Sequence, residues 1–246
     1  MASVAKLYQQ EMHNNLGFFA NWFPGDTLEI GDVGTLENGR FRRVTTLKSL
    51  GVESQVSMGH TTQNLQYTST SGTTITASAN ASPLSAVAKG EIKIDFSREG
   101  AFVFNASGLT MHRLENRSQI AEEVLKIYAQ DRWEKDWLLI ESLYEAKRTT
   151  VIVSEDSSAG LVLQASAEIG IPSASLADPK VDLKMTATRG KMVQVVGGKN
   201  MHPLYSCLRI KDSWFSSQPS LQPIRGQQGL VDMPFDRVGI LELLNS

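Results

Sequence analysis

Four histidines, His13, His60, His112 and His202, and one cysteine, Cys207, are the groups in this chain most suited to metal binding or nucleophilic chemistry. None of the histidines stands at a ligand spacing from a partner, and His202 with Cys207 supplies two groups where a structural zinc site takes four. The nucleophile elbow, the phosphate loop, the dinucleotide fingerprint and the paired-histidine zinc motif are all absent. Gly197-Gly198-Lys199 resembles the end of a phosphate loop but lacks the upstream glycine and the following hydroxyl residue, so it reads as a turn at a strand end. Asp131, Glu134, Asp136 and Glu141 interleave with Arg132, Lys135 and Lys147, the pattern of a solvated face that pairs with itself. No residue set nominates a catalytic, metal or cofactor site, and an enzyme is not expected.

The positive cluster Arg40, Arg42 and Arg43, followed by Lys48, is the one local patch whose chemistry points outward. Near an anionic lipid surface each such side chain is worth about 1 kcal/mol. The same cluster also suits a hairpin end kept soluble by charge. Across the whole chain 24 Lys+Arg nearly cancel 26 Asp+Glu, which leaves no field to hold a nucleic acid. A single cysteine and no signal-like apolar segment near Met1 fit a cytoplasmic protein. No stretch reaches the roughly 18 to 20 apolar residues of a spanning helix.

The elements expected around these residues are mainly strands. Asn38-Gly39 between Val33/Leu36 and Phe41/Val44 is a strong hairpin signal. Residues Gln55 to Ala88 contain no Asp, Glu, Lys or Arg, and within them Thr74 to Ala81 alternates apolar and polar side chains, the period of a strand. Three further hairpins are expected: Ile92–Phe96 with Phe102–Ala106 around Arg98-Glu99-Gly100, Thr150–Ser154 with Leu161–Ala165, and Val181–Thr188 with Met192–Val196 around Arg189-Gly190. Asn116 to Tyr128 switches to helical spacing, and Asn116 with Gln119 suggests a capping box. Trp137–Leu143 and Leu204–Ile210 read as additional strands. The expected fold class is α+β, a mainly antiparallel twisted sheet with hairpins and a few short helices. A body over residues 1–212 precedes a Pro/Gly/Gln-rich tail, 213–246, which reads as an irregular loop ending on the apolar cluster Val238, Ile240, Leu241, Leu243 and Leu244.

Strands destined for lipid need one apolar face, no charge on that face, and about 9 to 11 residues per crossing. Gln66 to Ala81, Lys89 to Ala106 and Thr149 to Ala165 satisfy the alternation, with Glu91, Lys93 and Asp95 on the opposite, water-facing side. A soluble sheet covered on one face alternates in the same way.

The succession of Pro24-Gly25-Asp26-Thr27-Leu28, the long uncharged segment, the hairpin Ile92 to Phe104, the helix Ile120 to Tyr128, the Trp137 to Ala165 hairpin and the closing strand Pro203 to Ile210 resembles the pore-forming domain of gasdermins, in particular compact bacterial gasdermin-like proteins with a short inhibitory tail. The resemblance implies an autoinhibited protein whose tail is removed by a protease. Its hairpin regions, here Gln55 to Ala106 and Thr149 to Val196, then extend into a membrane as a homo-oligomeric pore that kills the cell in antiviral defence. It places the inhibitory contacts at Val238, Ile240, Leu241, Leu243 and Leu244, an accessible bond at Arg225-Gly226, and the active form at the inner face of the cell membrane. Bacterial members often carry a lipid-modified cysteine near the N-terminus, and here the only cysteine is Cys207. The residues taken alone leave a second reading open, a β-rich binding or assembly protein that forms a soluble oligomer.

Overall fold

The computed structural model describes residues 3–22, 27–59, 63–80, 89–166, 175–176, 178, 180–211 and 220–223. The first element is a helix that the sequence pattern does not announce, α1 (Val4–Leu16). Ser3 caps it by accepting the Lys6 N–H at 3.3 Å, and the Gly17 N–H closes the other end on the His13 carbonyl at 2.9 Å. Its buried face is Ala5, Tyr8, Gln9, Met12 and His13, so two polar residues interrupt the apolar stripe by which such a helix is normally read. Gln9 is satisfied like a strand residue: its amide nitrogen donates to the Ala20 carbonyl and its oxygen accepts the Ala20 N–H at 2.8 Å.

Two antiparallel sheets follow. The larger contains β1 (Phe19–Ala20), β2 (Asp32–Glu37), β3 (Arg40–Thr46), β4 (Val56–Met58), β5 (Gln63–Thr68), β8 (Phe102–Leu114), β9 (Leu138–Ser154), β12 (Met192–Lys211) and β13 (Ser220–Pro223). The smaller contains β6 (Thr73–Asn80), β7 (Lys89–Phe96), β10 (Gly160–Ala165) and β11 (Leu183–Arg189). With a second helix, α2 (Arg117–Tyr128), this is the expected α+β class with mainly antiparallel strands. The hairpin at Asn38-Gly39 also forms as expected, joining β2 to β3.

The three other expected hairpins do not form. β7 pairs with β6 and β10, and β8 with β4, β5 and β9. β9 and β10 lie in different sheets, as do β11 and β12. In each case the turn residues are present, but the chain crosses from one sheet to the other instead of pairing with itself. Period-two alternation reports that a strand has one buried face and is silent about which strand lies beside it.

Several local expectations change as well. Trp137–Leu143 and Thr150–Ser154 fall almost wholly within one long strand, β9, and Met192–Val196 and Leu204–Ile210 are both parts of β12. Gly197 lies in a bulge inside β12, where the register against β9 shifts between Val195 and Gly198, and not in a strand-end turn. Asn116 precedes α2 without capping it: its oxygen accepts the Gln55 N–H at 2.8 Å and its nitrogen donates to the Glu53 carbonyl at 3.1 Å, which ties α2 to the segment leading into β4. Glu141 is buried and paired with Arg117 at 2.8 Å, not part of a solvated face. Ser220–Pro223, inside the stretch expected to be irregular, is a short strand on Leu208–Lys211 of β12.

His13 reports on how tightly α1 is seated. It is 2 % exposed, its ring lies 4.7 Å from that of Phe19, and burial pulls its pKa from the ordinary 6.5 down to about 4. The unfolded chain therefore takes up a proton between pH 6.5 and 4 that the native state does not. The stabilising contribution is complete above pH 6.5 and is lost as pH falls toward 4. Relative to His13→Phe, the native protein should lose roughly 2–3 kcal/mol of stability between pH 7 and 4.5. Urea unfolding followed by tryptophan fluorescence checks this, and parallel pH profiles for the two proteins would refute it.

Candidate functional site

The two sheets share an order. In the larger sheet β5, β8, β9 and β12 are consecutive neighbours, and in the smaller sheet β6, β7, β10 and β11 are. The chain connects them rank by rank: β5 to β6, β7 to β8, β9 to β10 and β11 to β12. The four connections also hydrogen-bond to one another in a row. Ser97 N–H meets the Gly72 carbonyl at 2.9 Å, Phe96 N–H the Ala159 carbonyl at 2.8 Å, and Glu155 N–H the Lys191 carbonyl at 2.9 Å. Together these strands make one four-stranded sheet folded over along a crease. Gly72, Gly100 and Gly190 take φ of 81°, 76° and 73° there, the left-handed backbone that glycine adopts without the Cβ penalty.

The crease lets one side of each strand be buried twice. In the smaller sheet Ile92, Ile94, Phe96, Leu161 and Leu163 point inward, with Ile75 and Leu183, against Val103, Ile152, Met192 and Val196 of the larger sheet. The opposite surface of the larger sheet carries Leu65, Tyr67, Phe102, Phe104, Val151, Val153 and Val193, packed with Ala5, Tyr8 and Met12 of α1. Tyr8 meets Phe102 edge-on at 4.8 Å between ring centroids.

Counting by twos through three of the bends joins these two surfaces, Leu65 and Tyr67 to Ile75, Phe96 to Phe102, and Val153 to Leu161, while a bulge in β11 between Met185 and Ala187 shifts the count between Leu183 and Val193. Straightened, three of the four strands would present one continuous apolar face, and the fourth would join them with its bulge taken out. The other side of the smaller sheet is polar, with Thr74, Thr76, Ser78, Lys93, Gln164, Lys184 and Thr186 exposed; Lys93 pairs with Asp95 at 2.9 Å, and Asp95 with Arg189 at 3.2 Å.

The chain beyond β10 is held against the larger sheet. Arg148, 5 % exposed, donates to the Val181 carbonyl at 2.8 Å and lies 3.7 Å from Asp182. Thr150 donates to the Leu176 carbonyl at 2.5 Å and accepts the Gly197 N–H at 3.0 Å, so the glycine bulge lies where this segment is fastened.

The structure separates the four basic candidates. Arg40 lies over the Trp22 ring, 5.3 Å from its centroid. With Arg42, Ser3, Asn38 and Glu155 these residues line a cleft of about 340 Å³ beside the start of α1. Arg42 also approaches Glu37 at 3.8 Å. Arg43 is engaged elsewhere, 3.2 Å from the buried Asp32, whose carboxyl is pushed upward by burial while the Glu29 N–H and Arg43 pull it back. Lys48 is exposed in the turn after β3. The tail candidates Val238, Ile240, Leu241, Leu243 and Leu244, and the Arg225-Gly226 bond, lie outside the described residues.

Two histidines come together where sequence spacing could not show it. His112 is 3.2 Å from Glu145, and His202 feels both: burial lowers its pKa, Glu145 raises it and His112 lowers it. Among the described residues no group of three or more His, Cys, Asp or Glu is arranged to hold a metal. Cys207 is buried with Phe19, Ile140 and Tyr205, and burial raises its thiol pKa well above the ordinary value. Such a thiol is a packing group at neutral pH.

No family model and no curated protein sequence matches the chain. Among solved structures it is similar to the gasdermin A3 membrane pore seen by cryo-EM, with a TM-score of 0.35 and 10% identity over 95% of this chain and 98% of that one. No described helix is long and apolar enough to cross a membrane.

The separation of the arginines is testable by stability. Arg43→Met leaves the Asp32 carboxyl without its charged partner and should cost about 1–2 kcal/mol. Arg42→Met, at an exposed pair, should change stability by less than about 0.5 kcal/mol. Chemical denaturation of both variants reads the difference, and equal effects would contradict the assignment.

Proposed function

We propose that this chain is an autoinhibited pore-forming protein. After release of its C-terminal tail it unfolds the crease, inserts two extended hairpins into a membrane and assembles as a homo-oligomer. The observation that carries this reading is the matched strand order across the crease together with an apolar face that stays in phase through three of its four bends. A soluble sheet needs neither property, whereas a strand in lipid must keep one face apolar along its whole length.

Lengths and charges agree with insertion. The chain from Thr73 to Phe96 is 24 residues long and that from Gly160 to Arg189 is 30, length enough in each for two crossings of about 9–11 residues. In straightened strands Arg98, Glu155, Arg189 and Lys191 would fall on the apolar face, all at the crease. That level corresponds to the membrane–water boundary, where long charged side chains reach the headgroups. Among the described residues β6 pairs only with β7 and β11 only with β10, so both edges of the smaller sheet are open. β11 of one copy beside β6 of the next would run antiparallel, and four-stranded units could repeat around a ring.

In this reading the protein is cytoplasmic, and a protease cuts near Arg225-Gly226. The tail cluster Val238 to Leu244 is the inhibitory segment. Arg40, Arg42 and Lys48 meet anionic headgroups at the inner face of the cell membrane, and the outcome is cell death in defence.

The test is removal of residues 230–246. The truncated chain should be toxic on expression and should release dye from vesicles containing anionic lipid. With Cys207 replaced by serine, an environment-sensitive probe on single cysteines should become lipid-exposed at positions 92 and 94 and remain in water at 93 and 95. A truncated chain that stays soluble, folded and harmless to cells and vesicles would sink the proposal. A stable soluble oligomer of the full-length protein would favour an assembly role.

A further inference from the structure

Two residues of α1 one turn apart, Leu7 and Glu11, reach the crease from the same side of the helix. Leu7 covers Gly100, where an added Cβ would sit 3.0 Å from the leucine Cδ1. Glu11 holds two bends at once. Its Oε1 accepts the Thr70 N–H, in the β5–β6 bend, at 2.5 Å, and its Oε2 pairs with Arg98, in the β7–β8 bend, at 3.0 Å. Arg98 in turn donates to the Ser71 carbonyl at 3.1 Å and to the Ser71 hydroxyl at 3.0 Å. The Glu11 side chain is 16% exposed and that of Arg98 35%, so the pair is shielded more than an ordinary surface pair.

We infer that Glu11 is the clamp by which α1 keeps the first hairpin folded back, so that displacement of α1 releases β5–β6 and β7–β8 ahead of the second hairpin. This rests on the pore reading for its consequence, though the clamp itself belongs to the soluble fold. A contact biases two conformations only if it differs between them, and straightening the hairpin would move Thr70 and Arg98 away from a helix seated on the sheet.

The other two bends have separate fastenings that do not involve α1. Lys191 N–H donates to the Asp156 carboxylate at 2.6 Å, and Arg189 donates to the Ser158 carbonyl at 3.1 Å and pairs with Asp95 at 3.2 Å. The contacts of α1 at the bends thus fall on the first hairpin, while the Phe96–Ala159 backbone bond and the Arg189–Asp95 pair join it to the second.

Hydrogen exchange of the full-length protein without lipid tests the clamp directly. Glu11→Gln and Arg98→Gln should each speed exchange at residues 69–72 and 97–101 by about tenfold, as expected for a lost charge-assisted contact that is partly solvated. The double variant should add little to either single one, because both break the same link, and residues 155–159 and 190–191 should exchange as in the parent. Arg98→Lys, which keeps the charge, should fall between, and serves if the glutamine variants fold poorly. Unchanged exchange at the first two bends, additive effects in the double variant, or a uniform rise across the chain would overturn the inference. In the tail-deleted background, Glu11→Gln should also shorten the lag before dye release. If the bends loosen as expected but no variant permeabilises vesicles, the pore reading fails and the clamp stands.

Discussion

Everything in this molecule is organised around covering one continuous apolar face twice. Four strands bend at the crease, three of them with that face in phase, and folding them over turns the distal half inward against the larger sheet while α1 covers the proximal half. The hydrophobic effect supplies the drive, at roughly 25 cal/mol for each Å² removed from water. It is indifferent to which apolar partner does the covering. In the soluble fold the chain's own larger sheet does that covering, and in the pore proposed above lipid would take its place.

The polar contacts gather along the crease. Glu11, Arg98, Asp156, Arg189 and Lys191 fasten the bends, while Arg148 and Thr150 hold the 176 and 181 carbonyls against the larger sheet. A net protein hydrogen bond is worth only about 1 kcal/mol. The lower part of the larger sheet is built differently. There α2, Leu114, Leu139, Leu208 and Trp133 form a core with no crease through it.

Much of the secondary structure was legible in the residues. Alternation marked the strands around Ile75, Ile92, Phe104, Val151 and Leu163, and turn chemistry marked Asn38-Gly39 and the bends at Arg98-Glu99-Gly100 and Arg189-Gly190. The bends were misread as hairpins because a glycine with positive φ serves a hairpin and a crossing between sheets equally well. α1 escaped notice because Gln9 and His13 are buried on its inner face, and a buried polar residue reads as a solvent position until its partner is known. Glu11 and Arg98, 87 positions apart, and the meeting of His112, Glu145 and His202 had no local signature at all.

The sequence by itself determined where the main alternating strands run, which of their faces are apolar, and that the charge is withheld from Gln55 to Ala88, because these are properties of neighbours along the chain. Only the tertiary structure decided which strands pair, that four of them double back along one crease, and that α1 reaches its bends. Those are choices among chemically equivalent edges and surfaces, and they are made by contacts between residues far apart in the chain.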